Sequence, residues 1–302
     1  MSAEPAARTS PPRSDPRTTA APMAESVRGL VSPPDVCMRV LELVRSDTAS
    51  AEDIGRVIAT DPALTARLLR IVNSPLYALR SRVETVSRAI AVLGGNELSS
   101  LVVAVSALAS FGRIPSTLVN MDTFWRHGVF CGLIARALGR RARVLHPERL
   151  FVAGLLHDIG SLVLYHQVPE TMGKLIGEAA GREQHLYELE LASFGYGHAD
   201  VGGLLLECWS LPEALHDAVA SHHCPQQARV APLEANIVHL AEKLANHSGI
   251  GGYCEPPVEE PLPAADAWAA LGLAADEVDV EELMGMAGIE FAELVSLLAV
   301  KR

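Results

Sequence analysis

The chain carries the run Gly154-Leu155-Leu156-His157-Asp158-Ile159-Gly160, a histidine and an aspartate side by side among apolar residues. His127 precedes it, and His198 and the adjacent pair His222-His223 follow at helix-compatible spacings. Imidazole and carboxylate are the ligands that hold divalent transition metals at phosphate-hydrolysing sites. A His-Asp pair alone in an apolar helix would read as a core histidine hydrogen-bonded to a carboxylate, because burying either group unpaired is costly. With His198, His222 and His223 around it, a metal-competent cluster is the better reading. On one helix His222 and His223 diverge by about 100°. They would serve two metals, or one metal and a contact behind it. His127 fits a ligand or a core residue equally well. His146, His166, His185, His216, His239 and His247 read as surface or core histidines, and Trp125 and Trp209 as core anchors. Cys224, beside His223, reads as a structural thiol, with metal ligation as the alternative.

These side chains need a scaffold to position them. The 302 residues suffice for two subdomains or one large one. Apolar residues make up 49% of the chain, and aromatic residues only 5%. Abundant Ala and Leu with few aromatics favour helices over strands, which predicts an all-α fold. The net charge of -11 excludes a generic nucleic-acid binder, which needs a basic face. It leaves room for a small anionic ligand, since a metal supplies local positive charge. Cysteines at 37, 131, 208, 224 and 254 are odd in number and lack a CxxC pair, as expected of reduced thiols in the cytoplasm. No secretory signal is evident. The most apolar stretch, Leu98 to Phe111, is too short to span a bilayer comfortably, so no membrane role is expected.

Residues 1–24 are rich in Pro, Ser, Thr, Arg and Ala and read as a disordered tail. Helical periodicity begins after Pro33, with Cys37, Val40, Leu41 and Val44 on one stripe. Ser50 and Asp53 have capping-box spacing, and Asp61-Pro62 combines an N-cap acceptor with Pro at the first helical position. Asn73-Ser74-Pro75 ends that helix. Further helices are predicted at 84–93, ended by Gly94-Gly95, and from Asn96 as cap through Phe111. In the second half they are predicted at 121–139, 148–158, 170–180, 184–194, 198–208, 212–222 and 233–247. A Pro- and Glu-rich connection at 251–263 precedes two closing helices, at 264–271 and 276–300.

Two pairs of segments carry a family resemblance. Residues 50–76 (SAEDIGRVIATDPALTARLLRIVNSPL) and 87–95 (SRAIAVLGG) resemble the N-terminal half of the HDOD family, the HD-related output domains of bacterial signalling proteins. Residues 154–161 (GLLHDIGS) and 198–224 (HADVGGLLLECWSLPEALHDAVASHHC) resemble its C-terminal half. The match spans residues 25–247 in the right order. It implies an N-terminal helical subdomain over 25–115 packed on an HD-like bundle over 116–247, with 248–302 as linker and C-terminal helices.

The same second half is similar to the HD-GYP phosphodiesterases of cyclic di-GMP. Carried over by position, that similarity implies His157, Asp158, His198, His222 and His223 as metal ligands. A last ligand is Glu242, where the catalytic family has Asp, and His127 stands where HD proteins often carry their first histidine. One or two divalent ions, Fe, Mn, Zn or Ni, are implied. Two departures weigh against catalysis. Ser161 replaces the lysine that follows HDIG, and Cys224-Pro225 replaces the Gly-Tyr-Pro loop.

The expectation is a cytoplasmic signal-transduction protein. It would be a regulatory binding module around a retained metal site, with little or no hydrolysis. Its partner would be a signalling protein or a small phosphorylated ligand. The alternative is a metal-dependent phosphohydrolase acting on a cyclic dinucleotide or nucleotide.

Overall fold

The computed structural model describes residues 19–23, 35–46, 48–111, 118–253 and 261–298, and among them the regular structure is helical with no strand. Residues 1–18 of the expected tail, Cys254 with the rest of 254–260, and the last residues of the closing helix lie outside the described residues.

After the helical residues 19–23, the first part among the described residues has five helices: α1 Asp35–Arg45, α2 Ala51–Ala59, α3 Pro62–Val72, α4 Val86–Leu93 and α5 Gly95–Phe111. Their ends follow from local chemistry. Ser50 Oγ accepts the Asp53 N–H while Asp53 Oδ2 accepts the Ser50 N–H, at 3.2 and 2.8 Å, closing the capping box with Asp in place of Glu. Asp61 Oδ1 accepts from Ala63 and Leu64, both at 3.0 Å, ahead of Pro62. Gly94, at φ 87°, lets the chain turn directly from α4 into α5. Asn96 therefore lies inside the first turn of α5 and is not its cap, a correction to the sequence reading.

Eight helices follow: α6 Met121–Arg141, α7 Glu148–Leu156, α8 Ile159–Gln167, α9 Pro169–Ala179, α10 Glu183–Phe194, α11 His198–Cys208, α12 Glu213–Ser221 and α13 Pro232–His247. The chain closes with α14 Ala265–Ala269 and α15 Val280–Leu298. The long helix α6 is buried on nearly all sides and packs against α7, α13 and α15. The α5 helix meets α7, joining the first five helices to the rest.

Two close approaches set the geometry of the site. A Cβ at Gly154 would lie 2.7 Å from the Gly132 Cα and N, so α6 and α7 touch backbone to backbone. A Cβ at Gly160 would lie 2.1 Å from the His198 carbonyl oxygen, which brings the start of α8 against the start of α11. Behind the cluster, the buried Asp217 Oδ2 accepts the backbone N–H groups of Arg229, Val230 and Ala231 at 3.0, 2.8 and 3.0 Å and fixes the entry into α13.

Two further expectations need correction. Residues 159–167, left between the helices expected at 148–158 and 170–180, form α8, and α7 ends at Leu156, so the His-Asp pair lies at a break between two helices rather than closing the first. Asp158, with ψ near 8°, makes the turn. Residues 19–23 of the expected tail are helical, Ala20 is fully buried and Met23 packs on the core. No helix among the described residues is long and apolar enough to cross a membrane.

Candidate metal centre

Six elements deliver the cluster. His127 comes from the middle of α6, His157 and Asp158 from the α7–α8 break, and His198 from the first residue of α11. His222 and His223 directly follow α12, and Glu242 comes from the middle of α13. All seven side chains are buried. Asp158 is the hub: its Oδ2 lies 3.3 Å from His157 Nε2 and 3.9 Å from His127 Nε2, and its Oδ1 lies 3.3 Å from His198 Nε2 and 3.8 Å from His222 Nε2. Glu242 Oε1 is 3.9 Å from His223 Nε2.

The outer nitrogens are already committed. The Nδ1–H groups of His157 and His222 donate to the carbonyls of Gly154 and Val219, both at 2.7 Å. His198 Nδ1–H donates to Glu190 Oε2 at 2.7 Å, His127 Nδ1–H to the Ile250 carbonyl at 2.5 Å, and His223 Nδ1–H to Gln184 Oε1 at 3.3 Å. These bonds fix the outer nitrogens as donors and turn every Nε2 inward, free to take a cation once any proton on it is displaced. His198 Nε2 and His223 Nε2 then face each other at 2.9 Å, a pair that needs a proton or a cation between them. The Nε2 atoms of His157 and His222, fully buried, make no hydrogen bond. Such orphaned, convergent nitrogens fit a bound transition metal. Two donor sets are compact, with ligand atoms within 4.8 Å of one another: His157, His222 and Glu242, and His198, His222 and His223. A third, His127, Cys131 and His157, adds a thiol absent from the sequence reading.

The sequence profile of the HDOD domain matches residues 30–225, well over half of the chain. The chain belongs to the HDOD domain family. An uncharacterised protein of Treponema pallidum (strain Nichols) is 28% identical to it over 209 residues, 68% of this chain and 39% of that protein. The HDOD chain thus spans about two fifths of the length of this relative. Among solved structures, a Shewanella amazonensis SB2B protein provisionally named a phosphohydrolase superposes with a TM-score of 0.69 at 22% identity, covering 94% of this chain and all of that one. A Marinobacter aquaeolei VT8 protein provisionally named for signal transduction superposes with a TM-score of 0.67 at 19% identity, covering 94% of this chain and 66% of that one. Both share its fold.

Burial sets most of the charge states in this HDOD site. It drives His222 and His223 well below the usual imidazole range, with neighbouring histidines adding to the effect. His127 falls to about 4, through burial and then His157. Burial opposes the ionisation of Asp158, but His157 and His198 overcome it and hold the carboxyl well below its ordinary range. For His198 burial is likewise outweighed, here by Glu190 and Asp158, and its range moves up. Burial lifts Glu242 to about 7, with His157 opposing and Asp158 reinforcing. For His157 too burial is outweighed, by Asp158, and its range moves up. The HDOD cluster therefore sets neutral His127, His222 and His223 beside His157 and His198, which the Asp158 carboxylate holds toward the charged form, and an arriving cation would displace their protons and ionise the remaining acids.

Three further residues of the HDOD site escaped the sequence reading. Glu190, fully buried, accepts both the backbone N–H and the Nδ1–H of His198 at 2.7 Å. Tyr187 stacks on His223 with ring centroids 4.4 Å apart. Glu183 lies buried near Asp158 and Glu242, and burial and those two charges push its carboxyl well above the ordinary range. Cys224 turns to the Tyr187 hydroxyl and joins none of the donor sets among the described residues.

Proposed function

We propose that this HDOD chain is a bacterial signal-transduction protein, a regulatory binding module built around a metal site, with little or no hydrolysis. Its two helical parts would be residues 25–115 and 116–247. His157, Asp158, His198, His222, His223, Glu242 and His127 would hold one or two ions of Fe, Mn, Zn or Ni. The observation that carries the reading is the convergence of tautomer-fixed Nε2 atoms on Asp158. The cytoplasmic, signalling character rests on the family and on the name of the Marinobacter protein.

Weak or absent hydrolysis follows from what the site lacks. A phosphodiesterase needs the phosphate held in line and its developing charge stabilised. Ser161 is buried where the catalytic pattern has lysine. The buried cation among the described residues is Arg136, and it is bonded to Leu76 and Glu290. The output would then be a surface at the junction of the two helical parts, recognised by a signalling protein or a small phosphorylated ligand.

The second reading, a metal-dependent phosphohydrolase acting on a cyclic dinucleotide or nucleotide, is favoured by the complete donor set and the name of the Shewanella protein. A bound metal would lower the pKa of its water and neutralise phosphate charge. Elemental analysis of the purified chain, paired with a phosphodiester screen that includes cyclic di-GMP, separates the readings. Bound transition metal without turnover is expected. His157→Ala with Asp158→Ala should remove the metal from a folded chain, and full retention would sink the assignment. Turnover at about 1 s⁻¹ or faster, lost in the same variant, would promote the enzyme.

A further inference from the structure

After α13 the chain doubles back over the histidine cluster. Ser248 and Gly249 leave the helix, Gly249 at φ 84°, and the Ile250 N–H returns to the Ala245 carbonyl at 3.1 Å. The next three residues, Gly251, Gly252 and Tyr253, are buried, although the sequence reads as a polar connection from there on. Two hydrogen bonds tie this stretch down. His127 Nδ1–H donates to the Ile250 carbonyl at 2.5 Å, and the Gly252 N–H donates to Glu183 Oε1 at 2.9 Å.

The fit at Gly252 is close. A Cβ there would lie 3.1 Å from Asp158 Oδ2, 3.1 Å from Glu183 Oε1 and 3.3 Å from His127 Cδ2. The backbone itself therefore lies against the hub carboxylate, and even a Cβ would push its neighbours by a few tenths of an ångström, with a larger side chain pushing further. Arrangements of this kind, where glycine permits backbone to approach a site, are a functional use of the residue.

We propose that residues 250–253 are a strap that gates the metal site. Metal reaches or leaves Asp158 only when the strap lifts. A cation bound at Asp158 and His127 immobilises the carboxylate that the strap lies against and the imidazole that holds it by a hydrogen bond, and so keeps it shut. The inference rests on the metal-site reading and adds control of access to it.

The test uses the full chain with Zn(II) as probe. Hydrogen exchange over residues 248–253 of the unaltered protein is expected to slow about tenfold or more on zinc loading. Unchanged exchange in a zinc-loaded protein overturns the gate. Extraction of zinc by excess chelator is then timed for the unaltered chain and for Gly252→Val, in which the strap cannot seat. Extraction should be about tenfold faster or more in the variant, and equal rates at equal zinc stoichiometry also overturn the gate. If Gly252→Val does not fold, the exchange measurement on the unaltered chain decides alone. A chain that takes up no zinc at all sinks the metal reading together with the strap, whereas zinc uptake with an indifferent strap sinks only the strap.

Discussion

Glu190 shows how much of a metal site lies behind its ligands. A single carboxylate oxygen receives two hydrogen bonds from His198, one from the ring and one from the backbone. That pins both the tautomer and the ring plane of a prospective ligand. Glu190→Gln should weaken metal affinity by about 10–100-fold, measured by competition with a chelator, while circular dichroism stays unchanged. Unaltered affinity would make Glu190 a mere fold residue. The histidines and Asp158 were legible in the sequence because their residue types and family spacing advertise them. Glu190 and Glu183 were not, because a glutamate on a helix looks solvated until another helix buries it. Gly252 was hidden in a stretch whose composition suggests an idle connection, and Cys131 one helical turn from His127 gave no signal beyond the spacing itself.

At the scale of elements, the site exists because helices approach without side chains between them. Gly154→Ala would press a methyl against the Gly132 backbone, and α6 cannot yield without moving His127. Overpacking of this kind costs about 1–3 kcal/mol, so the melting temperature should fall, with metal affinity falling beside it. A loss of neither would show that the two helices slide freely. The sequence displayed the caps and stripes of most helices and the end of one near the His-Asp pair, but not the helix that starts directly after it. Apolar residues flank the pair on both sides, Leu150 to Leu156 and Ile159 to Leu164 with Ser161 among them, and nothing in their pattern marks a second helix starting directly after Asp158.

A second element-scale prediction concerns Glu97 on α5, which faces α7. Burial lifts its carboxyl to about 7, with Glu148 reinforcing and Tyr77 and Arg149 opposing. The folded state thus prefers the protonated acid. The sign follows: stability is intact at low pH and declines as pH rises from the ordinary glutamate range through about 7. Glu97→Gln should therefore raise the melting temperature at pH 8 and leave it nearly unchanged at pH 4.5. Equal effects at both pH values would remove the charge from the explanation.

For the whole molecule, the family match ends at residue 225, yet α13, the strap and α15 complete what it begins. The α15 helix packs on α6 and α3, with Phe291 edge-on to Phe130 at 5.1 Å. Arg136 of α6 joins three parts of the chain, donating to the Leu76 carbonyl after α3 and to Glu290 of α15. Its side chain is 2% exposed, so its charge depends on Glu290. Glu290→Leu should cost about 3 kcal/mol in urea unfolding, because it strands a buried cation. Adding Arg136→Met removes that cation and should return most of the loss, less the hydrogen bond to Leu76. If the double variant is no more stable than the single one, α15 is held by its apolar face and the ion pair is incidental. Recovery would instead show that the pair matters through the penalty of breaking it, and that α15 docks on α6 by satisfying a charge already buried there.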